Sequence, residues 1–269
     1  MIDNILASLM MFTRLPWWRI KTVDKDCFSR AVDYWPLTGW ITGGALVLSF
    51  VVCSMVFPPT IALILAIATR LLVTGALHED GLSDFSDGMG GGHTRDRILS
   101  IMKDSHIGTY GVIALVVYYL LLFTTLTTIY NTFLCDIFIR HYQMLFCAIL
   151  LTADVWGKSV ASLLVRQLPY ARREEDAKTK VVYRRINLPL HIIRILVAMA
   201  PCVALMIAAG PADVSNLILL ALVVPLVVEV CLMLWMRKTL QGYTGDCCGA
   251  TFLLCELSFL VVMAASVNL

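Results

Sequence analysis

The feature that most constrains this chain is a series of apolar runs of about 20 residues, each long enough as α-helix to cross a hydrocarbon core about 30 Å thick. Lipid offers no hydrogen bonds to a bare backbone, so runs of this kind must close their own N–H and C=O groups as helices. Composition agrees: 59% of the 269 residues are hydrophobic and 15% charged, against roughly 45–50% and 25% in soluble domains. The expected fold is therefore an all-α polytopic membrane helix bundle, one integral membrane domain over residues 1–269. An ordinary soluble enzyme is excluded. A net charge of +2 gives no excess that would favour nucleic acid as partner, so the positions of the charges carry more information than their sum.

Windows of about 19 residues place seven transmembrane spans near 35–57, 60–77, 108–130, 140–165, 188–209, 213–235 and 250–267. Arg70 interrupts the second; Asp154 and Lys158 interrupt the fourth, one helical turn apart, and can partly neutralise each other inside the bundle. Of the 21 basic residues, seventeen fall in the N-terminal segment and the 78–107, 166–187 and 236–249 loops. Only Arg140 falls in a connection on the other side. This asymmetry puts the N-terminus and the long polar loops in the cytoplasm. Met1 to Leu15 is apolar, short and followed by Trp17-Trp18. It reads as an interfacial amphipathic helix anchored by the tryptophans, or alternatively as a frayed start packed on the bundle. The nine cysteines include no CxxC pair and indicate neither a disulfide framework nor a zinc site.

The chemistry is concentrated in residues 78–92, directly after the second span. Asp80, Asp84 and Asp87 are spaced i, i+4, i+7, which places three carboxylates on one helical face. Without a cation they would repel one another, and hard oxygen donors favour Mg²⁺ or Mn²⁺ over zinc. The glycines after Asp87 are expected to end the helix and leave N–H groups for phosphate oxygens. A solvated, Gly-rich loop at a span boundary is the alternative. Arg97, Lys103, Asp104 and Gly108 follow, returning two cations and a fourth carboxylate to the membrane, a combination suited to a diphosphate. Thr244 and Asp246, between the glycines of a further turn on the same side, offer more oxygens. His78 and His106 are candidate bases or substrate contacts, while Glu229 and Glu256 lie inside spans, lining a cavity or bonded to a neighbouring helix.

The pattern His78-x-Asp80-Gly81-x-x-Asp84-x-x-Asp87-Gly88, with Arg95-Asp96-Arg97, Met102-Lys103-Asp104-Ser105-x-Ile107-Gly108-Thr109-x-Gly111 and Gly242-x-Thr244-Gly245-Asp246-x-x-Gly249-Ala250, resembles the cobalamin synthase (adenosylcobinamide-GDP ribazoletransferase) family. Phe12-Thr13-Arg14-Leu15-Pro16, Phe28-Ser29-Arg30 through Gly39, and Pro169-Tyr170-Ala171-Arg172 extend the resemblance over nearly the whole chain. It implies a multi-pass enzyme of the bacterial cytoplasmic membrane, with its site facing the cytoplasm and Mg²⁺ as cofactor. The implied reaction joins adenosylcobinamide-GDP to α-ribazole or its 5′-phosphate and releases GMP. It further implies Asp80, Asp84, Asp87 and Asp104 as metal ligands, His78 and Lys103 with the first three aspartates as catalytic groups, and Arg97, Asp104, Gly108, Thr244 and Asp246 as substrate contacts. The expected partners are the corrinoid nucleotide, α-ribazole and the bilayer; a homo-oligomer is compatible with the sequence. Trp156 stands where the family pattern has an arginine, and Leu253 where it has a glutamate.

The corresponding mechanism is in-line attack of the ribose 3′-hydroxyl on the phosphorus linked to the corrinoid's aminopropanol, with an aspartate or His78 as base. A CDP-alcohol phosphatidyltransferase shares Asp84-x-x-Asp87-Gly88, but Gly90-Gly91 replaces its Ala-Arg and Gly108 its last aspartate. A cation transporter, the competing class, would place its acids near the bilayer midplane.

Overall fold

The computed structural model describes residues 1–134, 139–172, 181–209 and 215–265. Its helices in chain order are α1 (Ile2–Phe12), α2 (Lys25–Phe28), α3 (Trp35–Ser54), α4 (Pro59–Thr74), α5 (Leu77–Gly91), α6 (Arg95–Lys103), α7 (Thr109–Leu134), α8 (Ile139–Ala161), α9 (Leu164–Gln167), α10 (Leu188–Ala209), α11 (Ser215–Thr239) and α12 (Gly245–Ala265). Among the described residues, six helical segments are long and apolar enough to cross a membrane, or seven if the bent pair α4–α5 counts as one span. The expected starts at Trp35 and Leu188 match, whereas the last helix begins five residues before the expected 250. Residues 213–214 and 266–267 of the expected spans lie outside the described residues, as do Arg173, Lys178 and Lys180 of the basic loop.

Two of the spans form the middle of the bundle. The apolar windows of α8 and α12 are 83% and 72% buried, against 22–33% for the windows that include α3, α7, α10 and α11. Exposed Leu, Ile and Val side chains on the outer helices suit a lipid-facing surface, where apolar groups need no protein cover. Tryptophans tie helices together: Trp40 Nε1 of α3 donates to the Ala198 carbonyl of α10, and Trp156 Nε1 of the central α8 to that of Leu222 in α11, each at 3.0 Å.

The second expected span, 60–77, ends early because the chain turns. Gly75 closes α4 in the left-handed region at φ 66°, and Ala76 follows at φ 55°. Their N–H groups return to the Leu71 carbonyl, a C-terminal arrangement in which glycine avoids the Cβ penalty. Ala76 carries that penalty. The two residues swing α5 through 87° relative to α4.

The glycine run ends α5 as expected, but beyond Asp87: the helix continues to Gly91 and Gly92 is its cap. Helical N–H groups there bond along the helix, so they form no phosphate cradle. The glycines serve close packing instead. A Cβ on Gly88 would meet the Met102 side chain of α6, and one on Gly90 the ring of Tyr110.

The N-terminal segment is an ordered helix, as expected, and not a frayed start, and one side of it packs on the bundle. Leu6, Ala7, Ser8 and Phe12 are buried, and the Arg14 N–H donates to the Val73 carbonyl at 2.7 Å. Phe12 is thereby held beside the start of α5.

Candidate active site

The site is built where α5 crosses α12. A Cβ on Gly81 would sit 3.0 Å from the Asp246 carbonyl oxygen, and one on Gly249 3.1 Å from that of His78. Only hydrogen at these positions lets the two backbones meet. Their contact brings Asp80 of α5 and Asp246 of α12 to the wall of one cavity of about 120 Å³. Substituting Gly249→Val should force α5 and α12 apart, costing about 1–3 kcal/mol of stability and lowering turnover. Thermal stability in detergent and product release would check this, and wild-type values for both would refute the crossing's importance.

The cavity is lined by aromatic and charged side chains together. Phe12, Trp35 and His78 form a stack, with ring centres 4.9 Å apart for Phe12–Trp35 and 5.7 Å for Trp35–His78. Phe252 packs edge-on against His78, its ring centre 4.7 Å away. Tyr170 and Tyr183 stand opposite, and Arg172 joins the two aspartates. Tyr183 is fixed by donation to Met11 Sδ at 3.3 Å; burial pushes its phenol above the ordinary range.

The expected site residues separate into groups. His78, Asp80 and Asp246 line the cavity. Asp80 is exposed, Asp84 half-buried and Asp87 buried, so the acidic stripe runs inward along α5. At its inner end, Asp87 accepts the N–H groups of Gly108 at 2.7 Å and Gly111 at 2.9 Å. A carboxylate there satisfies the open N–H groups at the start of α7 and complements its dipole. Gly108 in turn is pressed against that carboxylate. Thr244 is buried and caps α12, its hydroxyl accepting the Cys247 N–H at 3.4 Å and donating to Asp246 Oδ2 at 3.3 Å.

Lys103 lines a neighbouring cleft of about 580 Å³ with Arg95, Ser100 and Arg172. Arg97 and Asp104 are exposed and line neither the cavity nor the cleft. Asp104 accepts from the His106 ring at 2.6 Å and the His106 N–H at 3.1 Å, which holds its carboxyl below the usual range.

Among the described residues, no three His, Cys, Asp or Glu side chains are grouped closely enough to form a metal cage. Mg²⁺ commonly needs less from the protein, binding through one or two carboxylates plus substrate phosphates. Asp80 and Asp84, one turn apart, supply the oxygen chemistry for that arrangement.

The cleft and cavity are held together by arginines. Arg95 donates to the Leu240 carbonyl at 2.9 Å and to that of Ala171, while Arg172 donates to Leu99 at 3.0 Å. Short backbone bonds pair Tyr243 with Pro169 and Ala171. The N-terminal segment and three separate polar loops thus meet at one end of the bundle.

Behind Phe252 lies a buried ionic network. Arg70 of α4 pairs with Glu256 of α12, and Tyr118 of α7 donates to Glu256 at 3.1 Å. Asp154 and Lys158 of α8 pair as their spacing suggested; Asp154 also accepts from Thr42 at 2.8 Å and lies 3.8 Å from Arg70. Lys158 Nζ sits 4.0 Å over the Phe252 ring, a cation–π contact on the far side of the aromatic wall. Glu256 is therefore bonded across helices. Glu229 is buried too, with Gln167 Nε2 3.4 Å from its carboxylate.

Trp35, Tyr183 and Arg172 received no role from sequence reasoning. Phe12 and the Pro169–Arg172 run were visible as motif positions, but their convergence depends on contacts between distant segments.

The chain matches the cobalamin-5-phosphate synthase family over residues 4–264. It is 31% identical to an adenosylcobinamide-GDP ribazoletransferase of Vibrio parahaemolyticus, covering 98% of this chain and 92% of that protein. Proteins of the same description from Vibrio vulnificus and Shewanella frigidimarina are 32% and 31% identical, covering 97% and 99% of this chain and 95% and 96% of theirs. No solved structure matches it. With a match running through α1, the α5–α12 crossing and every cavity-lining segment, the chain belongs to the cobalamin-5-phosphate synthase family.

Proposed function

We propose that this chain joins adenosylcobinamide-GDP to α-ribazole or its 5′-phosphate, releasing GMP, at the aromatic and acidic cavity between α5 and α12. The observation that carries the reading is the convergence of Asp80, Asp246 and Arg172 on one cavity in a chain matched to the family over residues 4–264. The acceptor's 3′-hydroxyl oxygen forms a bond to the corrinoid-linked phosphorus, the bridging P–O bond breaks, and GMP leaves with the bridging oxygen.

Asp80 and Asp84 would hold Mg²⁺ together with the donor's phosphate oxygens. When bound, the cation supplies charge neutralisation for the diphosphate and the departing GMP. Asp246, at the crossing of α12 with α5, accepts the hydroxyl proton; His78 is packed into the aromatic stack and orients the acceptor. Arg172 offsets negative charge at the mouth. Excess Lys and Arg on the connecting segments support a cytoplasm-facing site in a cytoplasmic membrane.

Membranes containing the chain should release GMP from adenosylcobinamide-GDP only when α-ribazole is added. Failure to do so with folded protein present would remove the reading. CMP release from a CDP-alcohol would indicate the phosphatidyltransferase alternative, and cation flux without turnover a transporter.

A further inference from the structure

Asp246 and Arg172 line one cavity but stand on segments far apart in the chain. Asp246 follows the turn between α11 and α12, with Tyr243 three residues before it, and Arg172 directly follows Ala171 in the segment after α9. Two backbone bonds bridge these segments. The Ala171 N–H donates to the Tyr243 carbonyl at 2.8 Å, and the Tyr243 N–H to that of Pro169 at 2.9 Å. Gly242 lies hard against the bridge, where a Cβ would sit 2.6 Å from the Pro169 carbonyl oxygen. Two bonds outside any helix or sheet open easily unless another group holds them.

Arg95, the first residue of α6, spans the bridge. Its Nε donates to the Leu240 carbonyl at 2.9 Å and its Nη2 to that of Ala171, so one edge of a planar guanidinium holds a carbonyl from each segment. Leu240 directly follows α11, where the last carbonyls lack helical partners and a cation suits the dipole. Nη1 faces Asp96 at 3.5 Å. The tie is also returned, since Arg172 Nη2 donates to the Leu99 carbonyl of α6 at 3.0 Å. Resting on the transferase reading above, we infer that Arg95 is a positioning residue for the transfer. It acts through the two segments it joins, fixing Asp246, which takes the acceptor's proton, relative to Arg172, which meets the diphosphate. Its own donors are turned to the protein. Lysine is no substitute, because an ammonium is a point charge on a flexible stem, whereas the guanidinium fork presents parallel N–H groups in fixed geometry.

The test uses the full chain in proteoliposomes, with Arg95→Ala and Arg95→Lys beside wild type. Misplacing reacting groups by about 1 Å can cost about 10²-fold in rate, so both variants should lose kcat about 10–100-fold. The KM for each substrate should stay within about threefold, the mark of a loss felt in the transition state alone. Arg95 is 39% exposed, so added guanidinium ion should enter the vacated space and restore part of the kcat of Arg95→Ala, while methylammonium should not. Hydrogen exchange supplies a readout apart from turnover. The Ala171 and Tyr243 amides should be protected in the unaltered chain, which needs no variant to fold, and should exchange about tenfold faster or more in Arg95→Lys. Four results each overturn this inference alone, with α-ribazole-dependent GMP release intact in wild type. They are unprotected amides in the unaltered chain, wild-type exchange in the variants, near-normal kcat in Arg95→Lys, and a raised KM for adenosylcobinamide-GDP with kcat kept, as a direct phosphate contact would give. Absence of that release in wild type overturns the transferase reading and this assignment with it.

Discussion

Asp84→Asn should reduce GMP release about 10²–10³-fold or more, the scale at which loss of a group that stabilises transition-state charge is felt. The substitution keeps the size of the side chain and removes its charge. Asp84 lies half-buried in the middle of the acidic stripe, one turn from cavity-lining Asp80, so the amide should leave α5 in place while removing half of the carboxylate pair proposed to share Mg²⁺ with the donor. Release measured across a Mg²⁺ titration should show a lost maximal rate, with the protein still inserted and monodisperse in detergent. Near-normal turnover would sink the assignment. Asp87→Asn should behave differently: Asp87 holds the Gly108 and Gly111 N–H groups, so its replacement should lower thermal stability together with activity.

Arg70→Leu should be the most destabilising substitution in the bundle. It would leave Glu256 without its cation and Asp154 with Lys158 alone. Breaking a buried pair by removing one partner costs about 3–5 kcal/mol, whereas replacing both partners with apolar groups is often neutral. Thermal unfolding in detergent should therefore show a large loss for Arg70→Leu and substantial recovery for the double replacement Arg70→Leu with Glu256→Leu. Wild-type stability in the single variant would show that the network contributes little. The loss should extend to function because Lys158, in the same network, lies over the Phe252 ring that packs against His78 of the cavity wall.

Several parts of the site could be read without coordinates and others could not. The i, i+4, i+7 aspartates indicated a shared helical face, and α5 provides it. Their spacing could not show that burial increases along the stripe, because that depends on α7 beginning over Asp87. The glycine run suggested a helix stop, and the stop comes within it at Gly91; packing of Gly88 against Met102 and Gly90 against Tyr110 carries the helix past Asp87 despite the weak helix propensity of glycine. Asp154 and Lys158 announced themselves by their spacing, while Arg70 and Glu256, 186 residues apart, have no local relationship that would pair them.

The sequence by itself determined that the chain is a helical membrane bundle with its polar chemistry gathered at one end. Hydropathy decides the first through the cost of bare backbone in lipid, and the second follows from where the few charges stand. Only the tertiary structure decided which of those charges share a site. The 87° bend at Gly75–Ala76 and the glycine-on-glycine crossing of α5 with α12 put Asp80, Asp246, Arg172 and the aromatic stack around one cavity. That proximity arises from backbone geometry and side-chain size at a few positions, which act across the whole chain and leave no local pattern in it.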